Sequence, residues 1–202
     1  MIVIYVHSIY CPKCEIFKYG ILDMGDRRIE SELYSGYRIV KDVCEIVGIP
    51  MVDLDVGTNY DLEAPIVVNT RKGRIEERRV AWSIQRYWLS QVLGVSTIEL
   101  PGICIVSSAP NVKNRYVSVE IVTEARKIEN AVISHYVAAR QVLRAMARTA
   151  IEEALAPRFK EVPVELVESI MNRVFPRENG RDEPDLKKWV SGFIKVKRLV
   201  IR

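Results

Sequence analysis

Glutamine is nearly missing from this chain: Gln85, Gln91 and Gln141 are the three in 202 residues. That shortage, beside plentiful Ile, Val, Arg and Glu, is the bias expected of a thermophile. No run of 18 apolar residues occurs, which excludes a membrane-spanning helix. The apolar start, Met1 to Val6, has no basic flank before it and no small-residue cleavage site after it. It is a poor signal peptide, so the expected location is cytoplasmic. Internal repeats and low-complexity tracts are also absent. Disorder is excluded by composition, with 49% hydrophobic and 28% charged residues. The length suits one large domain or two small ones.

Charge of one sign is lacking in the first half and present in the second. Residues 1–95 hold 12 basic and 13 acidic side chains, a net of −1; residues 96–202 hold 18 and 13, a net of +5. A mixed, soluble surface explains this, and so does attraction for an acidic partner or nucleic acid.

Ile2-Val3-Ile4-Tyr5-Val6 reads as a buried strand of a parallel sheet. A loop, His7 to Tyr10, leads to a helix with Pro12 in its first turn. Phe17, Ile21 and Leu22 continue that helical spacing, and Gly25-Asp26 ends it. A second helix carries Ile39, Val43, Ile46 and Val47 and stops at Gly48. Strands follow at 51–56 and 65–69, then a turn at 70–73 and a return strand at 74–79. An amphipathic helix from Trp82 to Leu93 closes at Gly94. The second half offers strands at 97–107 and 115–123 and a helix without Pro or Gly over 124–156. Its apolar seam runs through Ile128, Val132, Ala139, Val142 and Met146 and calls for a partner surface, which predicts a homodimer. A short helix spans 163–175. A turn around Trp189 leads through Gly192 to an edge strand at 193–201, with Lys195 and Lys197 on one face.

Cysteine is sparse, with four residues, but two of them form Cys11-Pro12-Lys13-Cys14. This spacing sets two sulfurs one helical turn apart. A Cys at a helix N-terminus has its thiolate stabilised by unpaired N–H groups and by the helix dipole, and such motifs lower a cysteine pKa to roughly 3.5–7.5. Cys11 is therefore the expected nucleophile and Cys14 the resolving thiol. Lys13 adds positive charge, and His7 is placed to influence proton transfer. Zinc is an alternative for Cys-X-X-Cys, but neither Cys44 with Cys104 nor His7 with His135 makes a second close pair. A purely structural disulfide is another. Cys44 and Cys104 read as small core residues, with a bridge between the two halves as the sharper alternative. His135 reads as packing or interface on the long-helix seam.

Ile2 to Val6, Cys11-Pro12-Lys13-Cys14, Ala64-Pro65-Ile66-Val67-Val68 and the Gly73 hairpin together resemble the thioredoxin and glutaredoxin superfamily. The resemblance covers about residues 1–94. It implies a redox domain over 1–95, followed by an α+β partner or dimerisation domain over 96–202. The family carries a proline before its third strand, beside the dithiol, where the preceding backbone binds substrate. Pro65, preceded by Ala64, matches that pattern. About 25 residues after the first helix depart from it, and no glutathione-site signature is found. A divergent thioredoxin-like domain is expected rather than a standard glutaredoxin.

The expected function is thiol–disulfide exchange on protein thiols and disulfides, with no cofactor and no metal. The alternative is a redox-sensitive binding module whose basic half binds nucleic acid or protein. Arg140, Arg144 and Arg148, four apart on one helix, are the candidate phosphate contacts. Glu152 continues that row as a pairing partner for Arg148.

Overall fold

A computed structural model of the chain describes residues 1–9, 11–56, 66–69, 75–78, 89–94 and 98–199. Strand β1 (Ile2–His7) leads into helix α1 (Pro12–Tyr19). The helix ends at Gly20, whose φ of 65° is left-handed and whose ideal Cβ would sit 2.1 Å from the Ser31 carbonyl oxygen. Only glycine fits there. Ile21 and Leu22 therefore do not prolong the helix. They form strand β2 (Ile21–Asp23), paired antiparallel with β3 (Arg28–Glu30).

Helix α2 (Gly36–Val47) follows and buries Ile39, Val40, Val43, Cys44 and Val47. Its N-cap, Ser35, accepts a hydrogen bond from Arg38 N–H at 3.0 Å. The same hydroxyl donates toward the last carbonyls of α1, Phe17 O at 3.0 Å and Lys18 O at 2.8 Å, so one side chain joins two helix ends. Strand β4 (Met51–Asp55) comes next, and the backbones of β5 (Ile66–Asn69) and β6 (Ile75–Arg78) form a separate hairpin. Residues 89–93 are helical. Strands β7 (Gly102–Val106) and β8 (Arg115–Ser118) precede the long helix α3 (Ile128–Leu155). Helices α4 (Val164–Val174) and α5 (Leu186–Leu199) complete the described chain.

The main sheet runs β4-β1-β7-β8. β1 and β4 are parallel, while β7 runs antiparallel to both of its neighbours. This is a mixed α/β fold with one long helix. The sheet crosses the boundary expected at residue 95: β1 lies between β4 of the first half and β7 of the second. The two halves share one core: β1 hydrogen-bonds to a strand of each half, and one cluster joins Val3, Tyr5, Val40 and Val43 to Ile103, Ile105 and Val142.

Alternation along the strands separates two clusters. Val3, Tyr5, Ile103 and Ile105 face α2 and α3, while Val6 and Cys104 face Leu89, Leu93 and Ile98. Most of the α3 seam is covered within the chain: Ala139, Val142 and Met146 are buried and Val132 is partly buried, while Ile128 at its start is exposed. On the far side, α4 and α5 pack Val167, Met171, Phe175, Trp189 and Phe193 into the same core.

The segment expected as a turn and an edge strand is one continuous helix, α5. Trp189, Gly192, Phe193 and Val196 recur at helical spacing and are buried. Gly192 does not break it, because Phe175 packs where a side chain would stand: an ideal Cβ would lie 2.6 Å from that ring.

Candidate functional site

Cys11 is the N-cap of α1, with φ −99° and ψ 107°, and Pro12 follows in the first turn. Its carbonyl accepts from Cys14 N–H at 2.9 Å and Glu15 N–H at 3.2 Å, while its own N–H donates to Ser8 O at 3.1 Å. Cys11 is half-buried and Cys14 is buried at 2% exposure, so the first sulfur is the approachable one. Lys13 is exposed in the first turn, and Ile9, just before the dithiol, is an exposed apolar side chain.

The dithiol lies beyond the carboxyl ends of the parallel pair β1 and β4, the end of an α/β sheet where ligands bind. β7 begins at the same end, since Gly102 pairs with Val6. Pro101 stands directly before β7 and is buried, and the Leu100–Pro101 peptide is cis. Tyr116 holds this corner by donating its hydroxyl to Glu99 O, while Ser118 donates to the Glu99 carboxylate at 3.0 Å. Pro65 and Ala64 lie outside the described residues.

A buried polar group backs the dithiol on the α2 face of the sheet. Tyr5, fully buried, donates its hydroxyl to the Cys14 carbonyl at 2.9 Å. Burial, and then the proximity of Cys14 and Cys11, raises its pKa, so it remains a neutral donor. The Tyr5 ring stacks on His7 at 4.9 Å and tilts against Tyr37 at 5.0 Å. Register places Asp53 beside Tyr5 and Asp55 beside His7. Asp53 accepts from Lys18 Nζ at 2.6 Å and from the Tyr37 hydroxyl at 2.8 Å. Burial works to raise the Asp53 carboxyl, but these hydrogen bonds outweigh it and hold it below its ordinary value. The His7 pKa is lowered, chiefly by burial and next by Lys18. Uncharged His7 and anionic Asp53 thus share the space behind α1.

The second pair of cysteines is separate from this site. Cys44 packs in the α2–α3 cluster and Cys104 in the opposite one, so the sheet stands between them and a bridge is excluded. Burial pushes both thiols up to about 12, the state of inert core cysteines. Among the described residues, no three His, Cys, Asp or Glu side chains gather to hold a metal ion.

The arginine row does not form an open stripe. Arg140 is 7% exposed and donates to Asp182 O at 2.5 Å. Arg148 pairs with Glu168 at 2.6 Å and with Glu152 at 3.4 Å. Arg144 alone of the three is exposed. His135 is buried between α2, α3 and β2, away from the dithiol.

Sequence reading names Cys11, Cys14, Lys13 and His7, and the structure gathers these around the start of α1. It does not name Tyr5, Lys18, Tyr37, Asp53 or Pro101. A signal exists for Asp53, a carboxylate in mid-strand beside a buried run. A signal exists also for Pro101, which precedes an apolar strand just as Pro65 does. No described helix is long and apolar enough to cross a membrane. Comparison with family models, with curated proteins and with solved structures finds no match, so the reading of this site rests on its geometry.

Proposed function

We propose that the chain is a thiol–disulfide oxidoreductase acting on protein disulfides, built on a divergent thioredoxin-like arrangement. The observation that carries this reading is Cys11 at the N-cap of α1, half-buried, with Cys14 buried one turn behind it. The Cys11 thiolate attacks one sulfur of a substrate disulfide. A mixed disulfide forms and the other substrate sulfur leaves as a thiolate. The Cys14 thiolate then attacks Cys11 Sγ and releases the second substrate thiolate. The substrate gains two electrons and two protons in all, and Cys11–Cys14 becomes a disulfide.

In the resembling family, the substrate-binding proline precedes the third strand. β7 is the third strand of the main sheet in chain order, and Pro101 is the residue before it. Pro101 takes that role in this reading, with Leu100 in the place first given to Ala64. Exposed Ile9 offers an apolar contact for the incoming chain. Tyr5 positions Cys14 through its carbonyl.

Insulin reduction with dithiothreitol is the test. The intact chain is expected to accelerate it, and Cys11→Ser to return it to the uncatalysed rate. Cys14→Ser should instead accumulate mixed disulfides, visible on a non-reducing gel, because the resolving thiol is gone. Iodoacetamide should label Cys11 at lower pH than Cys14. The same ordinary profile near about 8.5 at both thiols would sink the reading.

A further inference from the structure

The positive charge of the second half is concentrated near its end. Residues 173–198 hold eight basic and four acidic side chains. Two of those acids are used inside the fold. Glu178 accepts from Asp185 N–H at 2.6 Å and from the Trp189 ring N–H at 3.2 Å. Asp185 caps α5 through Lys188 N–H at 3.1 Å and pairs with Lys188 Nζ at 3.2 Å. Helix α5 itself carries Lys187, Lys188, Lys195, Lys197 and Arg198 and no carboxylate. Its apolar face is spent on the core and its outer face is cationic: Lys188 is paired with Asp185 and Lys197 donates to the Val47 carbonyl oxygen, while Lys187 and Lys195 have no acidic partner among the described residues. Like charges at helical spacing repel one another, and a counter-charge from outside relieves them.

An open groove of about 530 Å³ lies between the end of α4 and α5. Its floor is apolar: Val174, Phe175 and Pro176. Its rims are Arg173 on one side and Lys187, Lys188 and Lys195 on the other, with Asp185 also on the rim and paired to Lys188. Arg173, Lys187 and Lys195 are exposed and form no ion pair among the described residues. The floor is rigid, because Phe175 is wedged against Gly192, Trp189 and Phe193. Lys187 and Lys195 are eight residues apart, about 12 Å along the helix. Three or four residues of extended chain, at about 3.3 Å each, cover that distance.

We propose that this groove docks an extended acidic segment of a partner protein, with an apolar side chain on the floor and carboxylates on the rims. An apolar floor between cationic rims matches such a peptide better than a nucleic acid strand. Bases stack on exposed aromatic rings, and the rings here are turned inward: Phe175 is 5% exposed and Trp189 is 1%. The groove is formed by α4 and α5, which flank α3 away from the sheet, so this proposal stands independently of the dithiol.

Fluorescence anisotropy on the full chain tests it. The probes are a labelled ten-residue peptide alternating Glu and Leu, the same peptide with Gln for Glu, and a labelled twelve-nucleotide oligothymidylate. The acidic peptide is expected to bind, to weaken as sodium chloride rises, and to lose at least tenfold in affinity in the triple variant Arg173→Glu, Lys187→Glu, Lys195→Glu. Arg144→Glu, exposed elsewhere on α3, should leave it unchanged. Circular dichroism checks that the triple variant folds. If it does not, the milder pair Lys187→Gln, Lys195→Gln must still lose at least threefold. The proposal is overturned if the Gln peptide binds as tightly, if the charge variants bind normally, or if oligothymidylate binds more tightly through the same residues.

Discussion

His135 shows how much one side chain can hold. Its Nδ1 accepts the Gly36 N–H at 3.2 Å, and its Nε2 lies 3.4 Å from the Ile21 carbonyl. These partners suit a neutral ring with the proton on Nε2, one acceptor and one donor. A second proton would face the Gly36 donor, in a site only 1% exposed. Burial therefore lowers the His135 pKa from 6.5 to about 4, against a smaller opposing effect of the Ile21 carbonyl. The folded form resists a proton that the unfolded chain accepts. Stability is full above the unfolded value, falls as pH drops from about 6.5 to about 4, and levels off below. The gap corresponds to about 3 kcal/mol. His7 shifts in the same direction, so the test is a difference. Urea midpoints of the natural chain and of His135→Gln, at pH 7.5 and 4.5, should converge toward the acid side. Parallel behaviour of the two proteins would remove His135 from the account. The role of His135 in packing was legible from its place on an apolar seam. Its two backbone partners were not, because both come from more than ninety residues away in the chain.

At the scale of an element, α5 separates pattern from context. Lys195 and Lys197 alternate with apolar residues, and Gly192 sits where a helix would end, so the sequence favours a strand. The helix forms because Trp189, Phe193 and Val196 together reach the α3 core, which outweighs the glycine's cost of about 1 kcal/mol. Propensity alone says that Gly192→Ala should stabilise by a similar amount. The structure gives the opposite sign. The new methyl would stand 2.6 Å from the Phe175 ring and 3.2 Å from the Val174 carbonyl oxygen. Both lie in packed surroundings, and overpacking of this kind costs about 1–3 kcal/mol. Thermal denaturation should show a lowered midpoint, and a raised one would mean that Phe175 has room to move. Pro65 and Pro101 both precede apolar strands, and no local signal says which strand joins β1. The dithiol and its helix were legible because everything they need lies within a few residues: a buried strand, a proline at the first turn and two cysteines one turn apart.

For the whole molecule, the division at residue 95 is where local reading fails and pairing across the chain decides. The strands and helices of the first half were mostly visible, and they include the entire Cys11 to Cys14 segment. The composition shift near residue 95 looks like a domain boundary. Yet β1 pairs with β7 from Ile2↔Val106 to Val6↔Gly102, and the α2 face that buries Val40, Val43 and Cys44 does so in one cluster with α3. A chain ending at residue 95 would leave β1 as an edge. It would also uncover Val3, Tyr5, Phe17, Val40 and Val43, all fully buried in the intact protein. Each apolar side chain contributes about 1.5–3 kcal/mol when buried, and the net stability of a domain is only about 5–15 kcal/mol. Losing several such burials exceeds the whole margin. Residues 1–95 alone are therefore expected to show no cooperative urea transition. They should also lack catalysis of insulin reduction, although both cysteines are present, because the N-cap geometry of Cys11 depends on β1 being held in the sheet. Adding residues 96–202 as a separate chain should restore both signals if the pairing of β1 with β7 is the missing part. A cooperative transition in the short chain would show that the N-terminal half carries its own core.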